Sequence, residues 1–128
     1  MRYEVSCLSG VAASGPYEVI VLKPRGRMTS LEAVYFGQEL QEVCGGRYPN
    51  VLVDMADVIF LDSCGIGSLV GGLKVAKQQG VRLALASLHG PVRLAAELIC
   101  IDQLFEIYEN AQQFLDALAT GLSTSLDS

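Results

Sequence analysis

The sequence predicts an α/β fold, a mixed and mostly parallel sheet of about five strands with about four helices around it. Three observations carry this expectation. Short continuous apolar runs such as Val51-Leu52-Val53 have the composition of strands buried on both faces, as in a parallel sheet. These runs alternate with segments whose apolar residues recur at helical spacing. Two extended segments also follow one another before the first helical pattern, which adds an antiparallel edge. The 128 residues fit one domain, placed at 1–119. A tail rich in Ser, Thr and Asp, 120–128, is expected to be disordered.

Each element has its own signal. Tyr3 to Leu8 alternates, with Tyr3, Val5 and Cys7 on one face, and Tyr17 to Leu22 is rich in β-branched residues. Turn chemistry lies between them, from Gly10 to Pro16. After Pro24-Arg25-Gly26 a helix is predicted from about Leu31 to Cys44. Its apolar stripe is Leu31, Val34, Phe36, Gly37, Leu40 and Val43; Thr29 or Ser30 is the expected N-cap, and Gly45-Gly46 the stop. Val51–Val53 and Val58–Leu61 are apolar and extended. A helix then runs to about Gln79 with Ile66, Leu69, Val70, Leu73 and Ala76 at core spacing, closed by Gly80. Val81–Ala86 is the next strand. Pro91 opens a helix through Leu94, Leu98 and Ile99. Phe105–Tyr108 is the last strand, and Asn110 caps a final helix carrying Phe114, Leu115 and Leu118.

Composition narrows the function classes. The chain is 51% hydrophobic and 18% charged, so a folded core is expected rather than disorder. Nine Lys and Arg against 14 Asp and Glu give a net charge of −5, and the basic residues are scattered singly. Direct binding of nucleic acid needs a concentrated basic surface, so none is expected. No apolar run reaches the roughly 18–20 residues of a membrane span, and the N-terminus lacks a secretory core, so a cytoplasmic protein without direct membrane insertion is expected. Cys7, Cys44, Cys64 and Cys100 contain no C-x-x-C pair and are expected as reduced, mostly core thiols. No metal-ligand spacing, cofactor fingerprint or paired carboxylates for catalysis stand out.

The informative stretch is Asp62-Ser63-Cys64-Gly65-Ile66-Gly67, leading into a helix. Ser63 stands where unpaired backbone N–H groups and the helix dipole favour an anion. A Ser before a helix is also a natural N-cap, so a purely structural role competes with a functional one. Gly65 and Gly67 permit a tight connection or close approach by another backbone. Asp and Ser together, with two nearby glycines, favour an exposed hydroxyl.

The run Phe60-Leu61-Asp62-Ser63-Cys64-Gly65-Ile66-Gly67 resembles the D-S-x-G-[IL]-G motif of STAS domains in anti-sigma factor antagonists. Pro24–Thr29 resembles that family's segment before the first helix, and Pro91-Val92-Arg93 a shortened form of its later helix start. The resemblance implies a STAS-like fold and a non-enzymatic binding module without cofactor or metal. It places phosphorylation on Ser63 and a docking surface on Thr29, Asp62, Ser63, Cys64, Gly65, Ile66 and Gly67. The implied partners are an anti-sigma factor that is also a serine kinase, and a serine phosphatase. Cys64 stands where the family often has a second Ser, and Thr29 or Ser30 where it often has Asp.

Other readings remain. A STAS scaffold, or an accessory subunit of a stress-signalling or membrane transport complex, would use the same fold. Gly65-x-Gly67-x-x-x-Gly71 superficially resembles a nucleotide fingerprint, but it follows a later strand and no acidic residue ends Val81–Ala86. Cys64 with the single histidine, His89, is too little for a nucleophilic pair, and His89 is expected in an exposed loop. Should Ser63 fail as the acceptor, Ser68 or Thr29 is next. Gly71-Gly72 is expected to serve packing on the sheet.

Overall fold

A computed structural model of the chain describes residues 2–12 and 15–120. The elements run β1 (Arg2–Ala12), β2 (Gly15–Met28), α1 (Ser30–Val43), β3 (Asn50–Asp54), β4 (Asp57–Leu61), α2 (Ser63–Gln79), β5 (Arg82–Ala86), α3 (Gly90–Leu98), β6 (Glu106–Tyr108) and α4 (Ala111–Thr120). The sheet has the order β1-β2-β3-β5-β6, with β4 also against β2. Among the described residues only β1 and β2 pair antiparallel; every other pair is parallel. The mixed, mostly parallel α/β architecture is the expected one. Among the described residues it has six strands, because Val58–Leu61 belongs to a strand of its own.

Strand β2 has 14 residues because it serves two parallel neighbours in turn. Val19–Leu22 pairs with β3, and Arg25–Met28 pairs with β4. Within the second pairing the register shifts, because Gly26 faces Val58 while Arg27 faces Phe60. The extra residue, Ile59, is on β4, and the φ of +88° at Gly26 opposite it favours a residue without Cβ. Pro24-Arg25-Gly26 thus lies inside a continuous strand, where the sequence reads as a break. The hairpin is also longer than its patterning shows, since pairing continues to Ala12 opposite Gly15.

The continuous apolar runs have a direct explanation. Val51 and Val53 of β3, with Leu83 and Leu85 of β5, point into a core shared with α1, α2 and α3. Leu52, Ala84 and Ala86, on the opposite face, pack with Tyr108, Phe114 and Leu118 beneath α4. Both faces are dry, so alternation disappears.

The helix faces depart from their expected stripes. Helix α1 buries Ala33, Phe36, Gly37 and Leu40, whereas Leu31 and Val34 are exposed. Helix α3 buries Val92 and Ala96, leaving Leu94, Leu98 and Ile99 in solvent. In α2, Leu69, Leu73 and Ala76 are buried as expected, while Ile66 and Val70 are half-buried. Gly80 closes α2 in the left-handed conformation, and the Asn110 side chain accepts the Gln113 amide at the start of α4. Of the cysteines only Cys44 is buried; Cys64 is intermediate, Cys7 and Cys100 are exposed, and all four are free thiols. Burial pushes the Cys44 thiol up to about 11.

Thr120, the first residue of the expected tail, is the last residue of α4; 121–128 lie outside the described residues. Among the described residues no helix is long and apolar enough to cross a membrane. Arg2, Arg25 and Arg27 meet along one shallow cleft with Gly26 and Glu32, a local gathering that their spacing in the sequence hides. Arg25 is already bound to the carboxylates of Glu4 and Asp57.

Candidate functional site

The parallel pairing of β2 with β4 brings the two helix starts side by side. Met28 lies opposite Leu61, so the chain enters α1 and α2 from neighbouring strand ends. The motif residues 62–67 and the Thr29-Ser30 segment therefore meet, although some 33 residues separate them.

Asp62, not Ser63, caps α2. Its Oδ1 accepts the amides of Cys64 at 2.9 Å and Gly65 at 3.1 Å. Its Oδ2 accepts the Ser30 amide at 3.2 Å, joining the first turn of α1 to that of α2. Partial burial pushes the Asp62 carboxyl up, but the Gly65, Ser30 and Cys64 amides outweigh it and hold the group below its ordinary value. This corrects the expected chemistry of the helix end. The anion favoured by its amides is already present, in the protein itself.

Ser63 is released by that arrangement. It is the first helical residue and is exposed, with no capping duty to occupy its hydroxyl. Thr29 stands at the N-cap position of α1 but makes no side-chain capping bond, so the expected hydroxyl cap is absent. The Asp62 carboxylate takes over part of that role. Ser30 is exposed and adopts a φ of +52°, unusual for a residue with a Cβ.

The glycines divide sharply. A Cβ on Gly65 would lie 2.3 Å from the Met28 carbonyl oxygen, so α2 can begin here only with glycine facing β2. A Cβ on Gly67 would meet nothing within 4 Å, and Gly67 is exposed. Cys64 and Ile66 are half-buried beside them. The three glycines of the nucleotide-like spacing all lie within α2 rather than in a phosphate-cradling loop.

Behind the motif, α1 and α2 pack closely. A Cβ on Gly37 would come within 2.8 Å of the Ser68 hydroxyl, and one on Gly72 within 2.4 Å of Leu40. Gly72 thus makes room for a neighbouring helix, where packing on the sheet was expected. Ser68 is buried, its hydroxyl held by the carbonyls of Ala33 and Cys64, which removes it as an accessible acceptor. His89 is exposed as expected, at the N-cap position of α3, with Nε2 3.0 Å from the Ala56 carbonyl oxygen.

Every motif residue from Asp62 to Gly67, together with Thr29, thus gathers at one end of the sheet. Sequence reasoning missed Ser30 as a partner of Asp62. The preference of Asp for N-caps was the available signal for the cap itself, but the link to Ser30 is a tertiary contact without a local pattern.

Comparison with known proteins agrees with this architecture. The family model described as the STAS domain matches residues 11–114. An anti-sigma F factor antagonist of Paenibacillus polymyxa is 25% identical over 69 residues, covering 54% of this chain and 59% of the relative. The chain therefore spans about three-fifths of that relative's length. An anti-sigma-factor antagonist (STAS) domain protein of Planctomyces limnophilus has the same fold at a TM-score of 0.71 and 24% identity, over 89% of this chain and 98% of the other. The murine anion transporter Slc26a9 aligns at a TM-score of 0.72 and 17% identity, over 94% of this chain but 23% of the transporter.

Proposed function

The chain belongs to the STAS domain family, and we propose that it is an anti-sigma factor antagonist, a cytoplasmic, non-enzymatic binding module switched at Ser63. In this reading the unmodified protein binds an anti-sigma factor that is also a serine kinase, and so frees a sigma factor. Phosphorylation of Ser63 releases that partner, and a serine phosphatase resets the switch. The docking surface comprises Thr29, Asp62, Ser63, Cys64, Gly65, Ile66 and Gly67. Gly65 serves it from within, by seating α2 against Met28.

The carrying observation is the exposed Ser63 side chain at the first position of α2, freed from capping by Asp62. A kinase can reach it without local unfolding. The phosphate brings about 1.5 to 2 negative charges. Because the Cys64 and Gly65 amides already serve Asp62, that charge turns outward, toward whatever docks. Two like charges about 5 Å apart at an effective dielectric of about 20 repel by roughly 3 kcal/mol. An anionic group on the partner held at that distance would weaken binding on the order of a hundredfold. The fold itself loses no contact.

The test uses two variants and the partner captured by the unmodified chain. Ser63→Ala is expected to keep the thermal midpoint and partner binding while taking up no phosphate from ATP. Ser63→Asp is expected to keep the midpoint and bind on the order of a hundredfold more weakly. Full phosphorylation of the alanine variant overturns the assignment. The alignment with one part of a much longer transporter chain supports a second reading, a scaffold or accessory subunit of a stress-signalling or transport complex. Capture of a transport or scaffold complex with no kinase, unaffected by Ser63→Asp, would favour it.

A further inference from the structure

Strand β1 is an open edge of a kind that folded proteins rarely leave bare. Among the described residues it has a strand neighbour on one side only. Its 11 residues exceed the usual strand length of about 5–6. The usual protections are absent: the ladder to β2 runs through eleven consecutive pairs without a bulge, and Val5 to Ala12 contains no charge and no proline. Gly10, the weak point of such a strand, is covered by the ring of Tyr17 across the ladder, which supports the extended conformation. Val5, Leu8 and Val11 are 55%, 40% and 79% exposed.

We propose that β1 pairs with β1 of a second copy, antiparallel about a two-fold axis at Cys7, joining two sheets into one. Only an extended backbone can satisfy a row of outward N–H and C=O groups, and the side chains fit this self-pairing. It sets Cys7 against Cys7, Val5 against Ser9, Ser6 against Leu8, and Tyr3 against Val11. The two charges of the strand, Arg2 and Glu4, fall opposite Ala12 and Gly10, so no like charges are opposed. All residues of one face stay on that face, because opposed residues share parity. The contact is an isologous interface that closes at two chains. One strand from each copy makes a small interface, so dissociation in about the micromolar range is expected.

Sedimentation of the full chain across about 1–200 µM tests the proposal. The expected result is a mass rising toward twice 13.7 kDa. A Val5→Lys/Ser9→Lys variant sets lysine against lysine on both sides of the axis, and it is expected to stay at the one-chain mass with an unchanged circular dichroism spectrum. Residues directly opposed in an antiparallel pair have Cα atoms about 4.5–5.5 Å apart, within disulfide range. Mild oxidation with diamide, which accepts the two electrons and two protons of the thiol pair, is therefore expected to cross-link the native chain and a Cys100→Ser variant. Cys7→Ser is expected to abolish the cross-link and leave the sedimenting mass unchanged. A one-chain mass at every concentration overturns the proposal, as does a dimer unmoved by the two lysines. A cross-link that survives Cys7→Ser, or a dimer that diamide does not link through Cys7, overturns the pairing about that residue.

Discussion

Gly65 and Gly67 are two residues apart on the same helix, yet one is required by the fold and the other is not. The Cβ of an alanine at 65 would stand 2.3 Å from a backbone oxygen, and a strand backbone cannot yield as a flexible side chain does. Gly65→Ala is therefore expected to destabilise the protein by about 1–3 kcal/mol, the usual cost of overpacking, read as a lowered urea midpoint. Gly67→Ala meets open space in a helix interior and is expected to stabilise by about 1 kcal/mol. If the face around Ser63 docks a partner, the same methyl group should weaken that binding while the fold gains. A Gly67→Ala variant that is no more stable than the native chain would contradict the open space. Both glycines could be read from the sequence as permissive positions, but which one the fold itself requires depended on Met28, a neighbour 37 positions earlier.

At the scale of the element, the start of α2 is governed by a carboxylate that also anchors α1. The sequence reading rightly located a helix start beside Ser63 but considered only Ser63, not Asp62, as its cap. Asp and Ser are both good caps, and a local pattern cannot show which of the two also reaches Ser30. Because the amides of Gly65, Ser30 and Cys64 outweigh partial burial and lower the Asp62 pKa, ionised Asp62 favours the folded state. The sign follows from linkage. The contribution is fully present above the ordinary carboxylate range and is lost as pH falls through the depressed value of the folded protein. Asp62→Asn retains an acceptor oxygen but no charge. The native chain is expected to be more stable than this variant at about pH 6, with the gap closing toward about pH 2. Urea midpoints of the two proteins across that range provide the check, and a gap that does not change with pH would rule out the charge as its source. Helix faces were harder to read than helix starts. In α1 and α3 the larger apolar residues Leu31, Val34, Leu94 and Leu98 lie outside, while Ala33 and Ala96 lie inside. Small residues are buried where elements approach closely, and hydropathy patterning gives weight to the large ones instead.

Across the whole molecule, the sheet separates two cores with different dependents. The strand alternation, the parallel majority and the opening hairpin were all legible, because they follow from composition over five or more residues. The division of β2 between two neighbours was not, since it depends on which strand comes alongside each half of β2 and on the extra residue Ile59 that β4 carries there. The consequence is a helix-rich face carrying α1, α2, α3 and the Ser63 site, and an opposite face covered by α4. Phe114 is fully buried at the centre of that second core, 5.0 Å from the Tyr108 ring and packed with Val19, Leu52 and Ala84. Arg82 stacks its guanidinium over the Phe114 ring at 5.4 Å while its side chain hydrogen-bonds Glu106 and Tyr108. Phe114→Ala removes the ring and leaves a cavity that these β-sheet residues cannot collapse to fill, a cost of about 3–5 kcal/mol. That is a large share of a small domain's stability of about 5–15 kcal/mol, so the thermal midpoint is expected to fall by roughly 10–20 °C. The motif on the other side of the sheet loses no contact. Partner affinity measured well below the new midpoint should therefore match that of the native chain. Calorimetric melting and titration with the captured partner separate the two effects, and a loss of affinity in fully folded Phe114→Ala would show that the two faces are energetically coupled through the sheet.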